Sequence, residues 1–278
     1  MYKKLIRPLL FLFNPESIHN FSFFFLKFFL KIPLMKPLMK SLFSFNNQKL
    51  ETSLLGLNFK NRIGLAAGFD KNAEFLNEME CFGFGHVEVG TITPQPQPGN
   101  SKPRLFRLKS ENALINRMGF NNDGVEKILN RIKSYKGDLV IGANIGKNKI
   151  TPNSEAIDDY LFSFKKLRDY VSYFVINVSS PNTPNLRELQ SKENLNQLVK
   201  KIQLENLSKK KKIPILIKIA PDLSKKKIDD IIDVCIKNKI DGIIATNTTI
   251  SKENINNNEK GGLSGKPQTN QPNVKPNC

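Results

Sequence analysis

The chain has 278 residues and a formal net charge of +18, from 43 Lys and Arg against 25 Asp and Glu. Its three cysteines have no C-x-x-C spacing and it has only two histidines, so we expect no disulfide framework, no metal site and no His-based triad. The basic residues are scattered among many Asn and Ile residues, which predicts attraction to anionic surfaces and no nucleic-acid partner.

The first 45 residues differ in composition from the rest. They hold half of the chain's 20 phenylalanines, seven Lys or Arg residues and a single acid, Glu16. Several phenylalanines recur at helical spacing, and Pro33 and Pro37 divide the segment, which predicts two helices. The apolar runs are too short to span a bilayer, and no small-residue cleavage site marks a signal peptide. The segment fits either a core-facing helix pair or a basic, aromatic anchor in a membrane interface, and we favour the anchor.

From residue 54 onward, short apolar runs alternate with polar, periodic segments. The runs begin near residues 63, 86, 139, 174, 215 and 242, and the shortest spacing, from 63 to 86, is 23 residues. Each spacing has room for a crossover helix, such as those predicted at 188–207 and 224–238, so we expect parallel strands. No G-x-G-x-x-G follows the first run, and a (β/α) barrel is therefore favoured over a doubly wound sheet.

Each predicted strand ends in a polar loop, and the loop after the fourth strand is the most informative. The stretch 174–184 reads FVINVSSPNTP, in which β-branched residues give way to hydroxyl and amide side chains between two prolines. Barrels of this type place their chemistry at the carboxyl ends of the strands, although Ser, Asn and Pro are also ordinary turn residues. Two other stretches are expected to be loops: a proline-rich one at 94–103, and the glycine-rich run 261–265, whose amides would cradle an anion.

Eight strings in chain order carry a resemblance to a known family. They are AAGFDKN, TITPQPQPGNSKPRLFRL, NRMGFNNDG, NIGKNK, NVSSPNTPNLR, KIAPDLS, ATNTT and GGLSGKP. From about residue 1 to Pro267 the chain resembles the quinone-dependent (class 2) dihydroorotate dehydrogenases of pyrimidine biosynthesis. The resemblance implies an α/β fold, with an eight-stranded TIM barrel (46–267) that carries flavin mononucleotide (FMN). A small helical domain (1–45) would precede it, meet the membrane and admit quinone.

The implied reaction is oxidation of (S)-dihydroorotate to orotate, with FMN as hydride acceptor and a membrane quinone as final acceptor. The implied location is peripheral, on the cytoplasmic side of the inner cell membrane. On this resemblance the flavin contacts are Ala67, Gly68, Thr91, Asn144, Asn177, Lys218, Thr246 and Gly265. The implied substrate contacts are Lys71, Asn116, Arg117, Met118, Gly119, Phe120, Asn177, Asn182, Asn247 and Thr248.

These residue types suit the chemistry. Small residues admit a flat ring, and amides suit a pyrimidinedione because each offers both a donor and an acceptor. Lys218 would place positive charge near the ring atoms that become electron-rich on reduction.

Ser180 matches the family's catalytic base, which removes the C5 proton as hydride leaves C6. Serine is a weak base, so Ser180 would need activation by neighbours such as Thr183 and Asn116, and a route for its proton to water. Class 1 relatives carry cysteine at this position, so the serine and the N-terminal segment both indicate the quinone class. His19 and Arg107 resemble the polar groups near the quinone head, although His19 also fits an ordinary helix-end histidine.

The sequence departs from the family pattern after Pro267. The family continues with a seventh and an eighth strand and their phosphate-binding loops, whereas residues 268–278 read QTNQPNVKPNC, an atypical polar tail. We therefore expect the last two strands to be missing and flavin binding to be weak. Two alternatives stay open: a non-catalytic remnant of this enzyme, and a soluble flavin dehydrogenase that uses another acceptor.

Overall fold

The computed structural model describes residues 2–45, 47–253, 255 and 257–269. Its α-helices are α1 Arg7–Leu10, α2 Pro15–Phe29, α3 Met35–Phe43, α4 Leu76–Met79, α5 Val125–Ser134, α6 Ala156–Leu167, α7 Lys192–Leu207, α8 Lys225–Lys237 and α9 Lys266–Thr269. Its strands are β1 Thr52–Leu54, β2 Leu57–Phe59, β3 Gly64–Leu65, β4 His86–Ile92, β5 Leu105–Leu108, β6 Ala113–Asn116, β7 Val140–Ile145, β8 Tyr173–Asn177, β9 Ile215–Ile219, β10 Gly242–Ala245 and β11 Gly262–Gly265. Of the predicted polar tail, residues 270–278 lie outside the described residues.

A parallel sheet forms the body of the molecule. Its strand order is β10-β9-β8-β7-β4-β3, and every neighbouring pair is parallel. Each strand begins within one residue of its predicted start. The α/β fold of TIM-barrel type, with helices ahead of the barrel, is therefore confirmed for the described part of the chain. The domain boundary at residue 45 stays a prediction.

Helices α5 to α8 pack on the outside of this sheet because one face of each is apolar. On α7 the buried residues Leu195, Leu198, Val199 and Ile202 recur every three or four positions. The predicted helix at 188–207 is shorter than expected, since Leu186–Gln190 form a 3-10 turn and Ser191 caps α7 through the Asn194 amide.

A second, three-stranded sheet lies beside the carboxyl ends of the barrel strands. Its order is β11-β6-β5, all antiparallel. The run 261–265 is therefore mostly strand, and the loop predicted there is wrong. Anion binding by its amides stays a prediction. The Leu263 amide donates to the Thr249 carbonyl at 2.7 Å, and a side chain at Gly261 would collide with the Asn116 carbonyl. The glycine permits close strand approach here.

The N-terminal helices pack on the barrel by one face only. Asn14 caps α2 through the amides of Glu16 and Ser17. Phe23 is buried and lies 3.6 Å, centroid to centroid, from the ring of Phe75. The opposite face is exposed and aromatic, with Phe21, Phe24, Phe25 and Phe28 each more than half exposed. Within the described residues, none of the helices combines the length and apolarity that crossing a membrane requires.

Candidate active site

A cavity of about 500 Å³ opens where the parallel strands end. Most of the predicted site residues line it: Ala67, Gly68, Thr91, Asn177 and Lys218 from the flavin set, Lys71, Asn116, Met118, Gly119, Phe120, Asn182, Asn247 and Thr248 from the substrate set, and also Ser180 and His19. Residues separated by up to 229 positions, from His19 to Thr248, therefore meet at one place. The carboxyl ends of the parallel strands share an edge, and α2 brings His19, and β6 brings Asn116, to that edge.

Five predicted residues do not line this cavity. Asn144 is fully buried behind it, and Thr246 follows β10 with its hydroxyl donating to the Asn247 carbonyl. The Arg117 guanidinium pairs with Glu259 at 2.6 Å. Gly265 and Arg107 line a neighbouring cavity instead.

A chain of amide and hydroxyl groups forms one wall of the cavity. Asn177 donates through Nδ2 to Thr91 Oγ1 at 2.9 Å and to Asn144 Oδ1 at 3.0 Å, and Thr91 donates to Asn144 at 2.6 Å. Ser179 Oγ donates to Asn177 Oδ1 at 3.0 Å and accepts from Asn247 Nδ2 at 3.0 Å. These bonds join the ends of β4, β7, β8 and β10, so the polar atoms facing the cavity are held in fixed orientations.

Ser180 is 5% exposed and lies beside two amide side chains. Its Oγ accepts from the Asn182 backbone N–H at 3.2 Å, and Asn182 Nδ2 donates to Asn116 Oδ1 at 3.1 Å. Thr183 Oγ1 is buried and has no hydrogen-bond partner among the described residues. A buried hydroxyl without a partner costs free energy, which makes Thr183 a candidate to contact a bound molecule or water near Ser180.

The comparisons with known proteins agree with this geometry. The family model for dihydroorotate dehydrogenase matches residues 49–271. A dihydroorotate dehydrogenase (quinone) of Christiangramia forsetii is 59% identical over 272 residues, which are 97% of this chain and 80% of that protein. The chain belongs to the dihydroorotate dehydrogenase family.

Other family members give the same result. A dihydroorotate dehydrogenase (quinone) of Gloeobacter violaceus is 46% identical over 96% of this chain and 75% of its own length. Among solved structures, a DHODH of Eimeria tenella in complex with ferulenol superposes with a TM-score of 0.79 at 37% identity, covering 91% of this chain and 73% of that one. The ligand-free enzyme of the same organism gives a TM-score of 0.76 at 38% identity, over 84% and 75% of the two chains.

The family is flavin-dependent, and the residues at this cavity fit a flat ring system. Gly68 has a φ of 104°, and a Cβ built on it would meet no atom within 4 Å, so open space lies directly against its backbone. Ala66 and Ala67 continue this small-residue surface. On another side the buried ammonium of Lys218 lines the cavity, and it interacts electrostatically with the carboxylate of Glu88.

Two basic groups in the cavity have lowered pKa values. Burial lowers the pKa of Lys71 to about 8, and the charge of Arg104 acts in the same direction. Burial also lowers the pKa of His19, and the neighbouring Lys71 adds to that shift. An anion entering the cavity would be attracted by the Lys71 ammonium below about pH 8.

A second, larger cavity of about 980 Å³ lies between the N-terminal helices and the β5–β6 hairpin. His19, Phe69, Leu105, Leu114 and Ser264 line both cavities and form the wall between them. Arg107 is at the far side, where its guanidinium stacks on the Phe11 ring at 4.4 Å and donates to the Phe13 carbonyl at 2.7 Å. His19 and Arg107, predicted as one quinone pair, thus both border this larger cavity.

Several residues of the site were missed by the sequence analysis. Glu88 is buried on β4 and accepts from Asn144 Nδ2 at 2.8 Å; its signal was an acid inside an apolar strand. Burial raises the pKa of Glu88, and the charge of Lys218 opposes the shift. Glu16 and Arg104 form a buried ion pair at 2.7 Å across 88 positions, for which the sequence carries no local signal.

Proposed function

We propose that this chain oxidises (S)-dihydroorotate to orotate in de novo pyrimidine biosynthesis, with bound FMN as hydride acceptor and a membrane quinone as final electron acceptor. The observation that carries the proposal is the position of Ser180 beside Asn116 and Asn182 in a cavity with open space against Gly68. A hydroxyl base, paired amides and a flat open slot are what abstraction of a proton next to an amide carbonyl requires.

The substrate is held by its carboxylate and by its ring amides. Lys71 provides an ammonium for the carboxylate, and Asn116, Asn182 and Asn247 provide amides for the alternating C=O and N–H groups of the ring. Because each of these amides also bonds to the protein, its orientation is set before the substrate arrives.

Ser180 removes the C5 proton. As Oγ takes the C5 proton it gives up its own hydroxyl proton, and the Asn182 amide N–H stabilises the partial negative charge that this loss places on the oxygen. Thr183, whose hydroxyl has no partner in the described structure, is positioned three residues further along the same loop to pass the proton towards water. The C5–H electron pair then forms the C5=C6 double bond of orotate as hydride leaves C6.

The flavin would be held by the strand ends. Gly68 and Ala67 would border its ring, and Thr91 and Asn177 would offer polar atoms to its edge; the Lys218 ammonium lines the same cavity. When bound, FMN accepts the C6 hydride and passes the two electrons on to quinone. Thr246, Gly265 and Asn144 are kept as flavin contacts in this proposal only through the family resemblance, because they lie outside the cavity wall.

The larger cavity fits the quinone. It is lined mainly by apolar side chains, and its polar lining residues are Arg7, His19, Ser22, Arg107, Lys109, Asn112 and Ser264. The exposed phenylalanines of α2 and the basic residues of the first 45 positions favour an interfacial position. We therefore place the chain peripherally on the cytoplasmic side of the inner membrane, attached through its N-terminal helices.

The test is an acceptor assay on the purified full chain. With FMN added in excess, because the sequence predicts weak flavin binding, we expect the protein to reduce the flavin with dihydroorotate and to be reoxidised by a ubiquinone or menaquinone analogue, but not by fumarate or NAD⁺. Reoxidation by fumarate or NAD⁺ alone would support the soluble-dehydrogenase alternative. Absence of turnover in the presence of excess FMN would support the non-catalytic remnant. Both results contradict the proposal.

A further inference from the structure

One amide side chain outside the predicted site joins the two backbone segments that carry Asn116 and Asn182. Asn100 donates through Nδ2 to the Arg117 carbonyl at 3.0 Å and to the Asn182 carbonyl at 3.1 Å. Its own backbone N–H donates to the Met118 carbonyl at 3.0 Å. A single residue of the proline-rich loop therefore ties the strand end after β6 to the loop after β8.

The two segments meet beside Ser180, the proposed base. Asn182 Nδ2 donates to Asn116 Oδ1 at 3.1 Å, and the Asn182 backbone N–H donates to Ser180 Oγ at 3.2 Å. The carbonyl that Asn100 holds belongs to Asn182 itself. A shift of that carbonyl thus moves both the side chain that faces the substrate ring and the peptide segment that contacts the proposed base.

Asn100 is in turn held by a buried arginine. Arg104 is 6% exposed and donates through one terminal nitrogen to the Asn100 carbonyl at 2.8 Å and to the Pro98 carbonyl at 2.6 Å. Its other nitrogens donate to the carboxylate of Glu16, at 2.7 Å for the shortest contact. Lys149 Nζ donates to Asn100 Oδ1 at 3.0 Å, which fixes the side-chain amide in the orientation that aims Nδ2 at the two carbonyls.

We infer that Asn100 is a positioning residue for the dehydrogenation, and that Glu16 on α2 holds it in place through Arg104. The inference rests on the proposed function. It assigns to the N-terminal helix a second task besides facing quinone: its docking sets the position of the loop that carries Ser180. Asn100 contacts neither substrate nor base, and it acts through Asn182 and the segment at Arg117.

The decisive variant is Asn100→Asp. The carboxylate has the same shape and keeps the Lys149 contact, but it cannot donate to the two carbonyls. Misplacement of reacting groups by about 1 Å costs up to roughly 100-fold in rate. We expect the rate of flavin reduction by saturating dihydroorotate, measured per flavin-loaded molecule, to fall about 10- to 100-fold. Orotate should bind more weakly, and amide hydrogen exchange in 179–184 should become faster.

Two further variants serve as a conservative substitution and as a control for Asn100→Asp. Asn100→Gln keeps a donor amide and should recover part of the lost rate. Asn153→Ala is the matched control, since Asn153 Nδ2 makes the same kind of bond to the same loop at the Asn185 carbonyl, 2.8 Å away and five residues beyond Ser180. We expect the control to stay within about twofold of wild type, because that bond lies beyond the segment that contacts the base.

The role of α2 is tested by Glu16→Gln, with Lys40→Gln as its control. Lys40 also pairs an N-terminal helix with the barrel, at 3.6 Å from Glu80, but has no link to Asn100. Glu16→Gln should slow flavin reduction and speed hydrogen exchange in 179–184, whereas Lys40→Gln should change neither.

The outcomes separate the two claims. Wild-type protein that does not oxidise dihydroorotate overturns the proposed function, and the positioning role with it. Active wild type together with an Asn100→Asp protein of unchanged rate per flavin, unchanged orotate affinity and unchanged exchange overturns the inference alone. A loss confined to melting temperature and yield, with normal rates in the loaded molecules, also overturns it, because that is the mark of a merely structural residue.

Discussion

In the proposed reaction Ser180 is the base, and a serine hydroxyl needs activation by its surroundings because it rarely loses its proton at neutral pH. We expect Ser180→Ala to slow flavin reduction by about 10²- to 10⁴-fold, the usual effect of losing a general base. Ser180→Cys should keep some activity, with a pH optimum that follows the thiol pKa. Single-turnover reduction by dihydroorotate measures both. An alanine variant with more than roughly a tenth of the wild-type rate would mean that another group takes the C5 proton.

Lys71 gives the site a pH dependence of known sign. Its pKa is lowered to about 8, so its ammonium is present below that pH and is lost above it. The KM for dihydroorotate should therefore be low and constant below about pH 8 and rise above it. Steady-state kinetics from pH 6 to about pH 10 measure this rise in KM. Lys71→Gln should give a KM that is high at every pH.

The neighbouring acid makes this assignment testable. The charge of Glu16 raises the pKa of Lys71. In a Glu16→Gln variant the KM for dihydroorotate should therefore begin to rise at a lower pH than in wild type. If KM rises at the same pH in both proteins, the titrating group is not Lys71.

At the residue scale, the sequence predicted what stands at strand ends and little else. Ser180, Asn177 and Lys218 follow or end apolar runs, so their place in one cavity follows from parallel topology. Asn100 and Arg104 lie in a loop with no repeating pattern, and the carboxylate partner of Arg104 comes from a helix 88 residues earlier. Such pairings depend on how the N-terminal helix docks, which no local pattern encodes.

In the proposed function, membrane attachment depends on one element, the exposed aromatic face of α2. Phe24 and Phe28 are 71% and 63% exposed, and neither borders the larger cavity. Replacing both by Ser should release the protein from anionic vesicles in a sedimentation assay and slow quinone reduction, with flavin reduction by dihydroorotate unchanged. These substitutions are better than deleting residues 1–45, because deletion would also remove Glu16.

The control is Phe162→Ser, a phenylalanine of α6 that is 40% exposed on the barrel. Continued sedimentation of the double variant would assign vesicle binding to the scattered lysines instead.

Arg187 connects the loops after three different strands. It donates to the Ser179 carbonyl at 3.0 Å and to the Thr248 carbonyl at 3.0 Å, and pairs with Asp222 at 2.8 Å. Arg187→Lys keeps the charge but not the fork of donors, so we expect a loss of about 1–2 kcal/mol in the free energy of unfolding. Urea denaturation monitored by circular dichroism measures it, and a stability equal to wild type would show that one ammonium replaces the three contacts.

At the element scale, the central strands of the parallel sheet, which were predicted, differ in length and partner from the strands that were missed. The central strands of the parallel sheet are buried runs of β-branched residues flanked by helices, which is a strong pattern. β5, β6 and β11 have four residues each, and β11 pairs with a strand 146 positions earlier. Short segments stabilised by a distant partner carry almost no signal of their own.

For the whole molecule, the buried pair of Glu16 and Arg104 makes stability depend on pH. Hydrogen bonds from Arg104 hold the pKa of Glu16 below its usual 4.5, against the effect of burial. A lowered carboxyl pKa adds stability above pH 4.5, and that stability is lost as the pH falls through the folded-state value. Glu16→Gln should therefore cost about 3 kcal/mol at neutral pH, and the melting temperatures of variant and wild type should converge under acid conditions.

Thermal unfolding at a series of pH values measures this difference. A difference in melting temperature between wild type and Glu16→Gln that stays constant down to about pH 3 would mean that the glutamate acts through packing rather than through its charge.

The same pair has a consequence for protein engineering. The segment 1–45 looks like an exchangeable cassette, yet it contributes a carboxylate to a buried site whose other half lies at Arg104. A hybrid that takes its N-terminal helices from one relative and its barrel from another needs an acid at the position of Glu16 and an arginine at the position of Arg104. A hybrid that lacks one of the two has an uncompensated charge in its interior. We expect its N-terminal helices to dock poorly on the barrel, even if each half folds in its own parent protein.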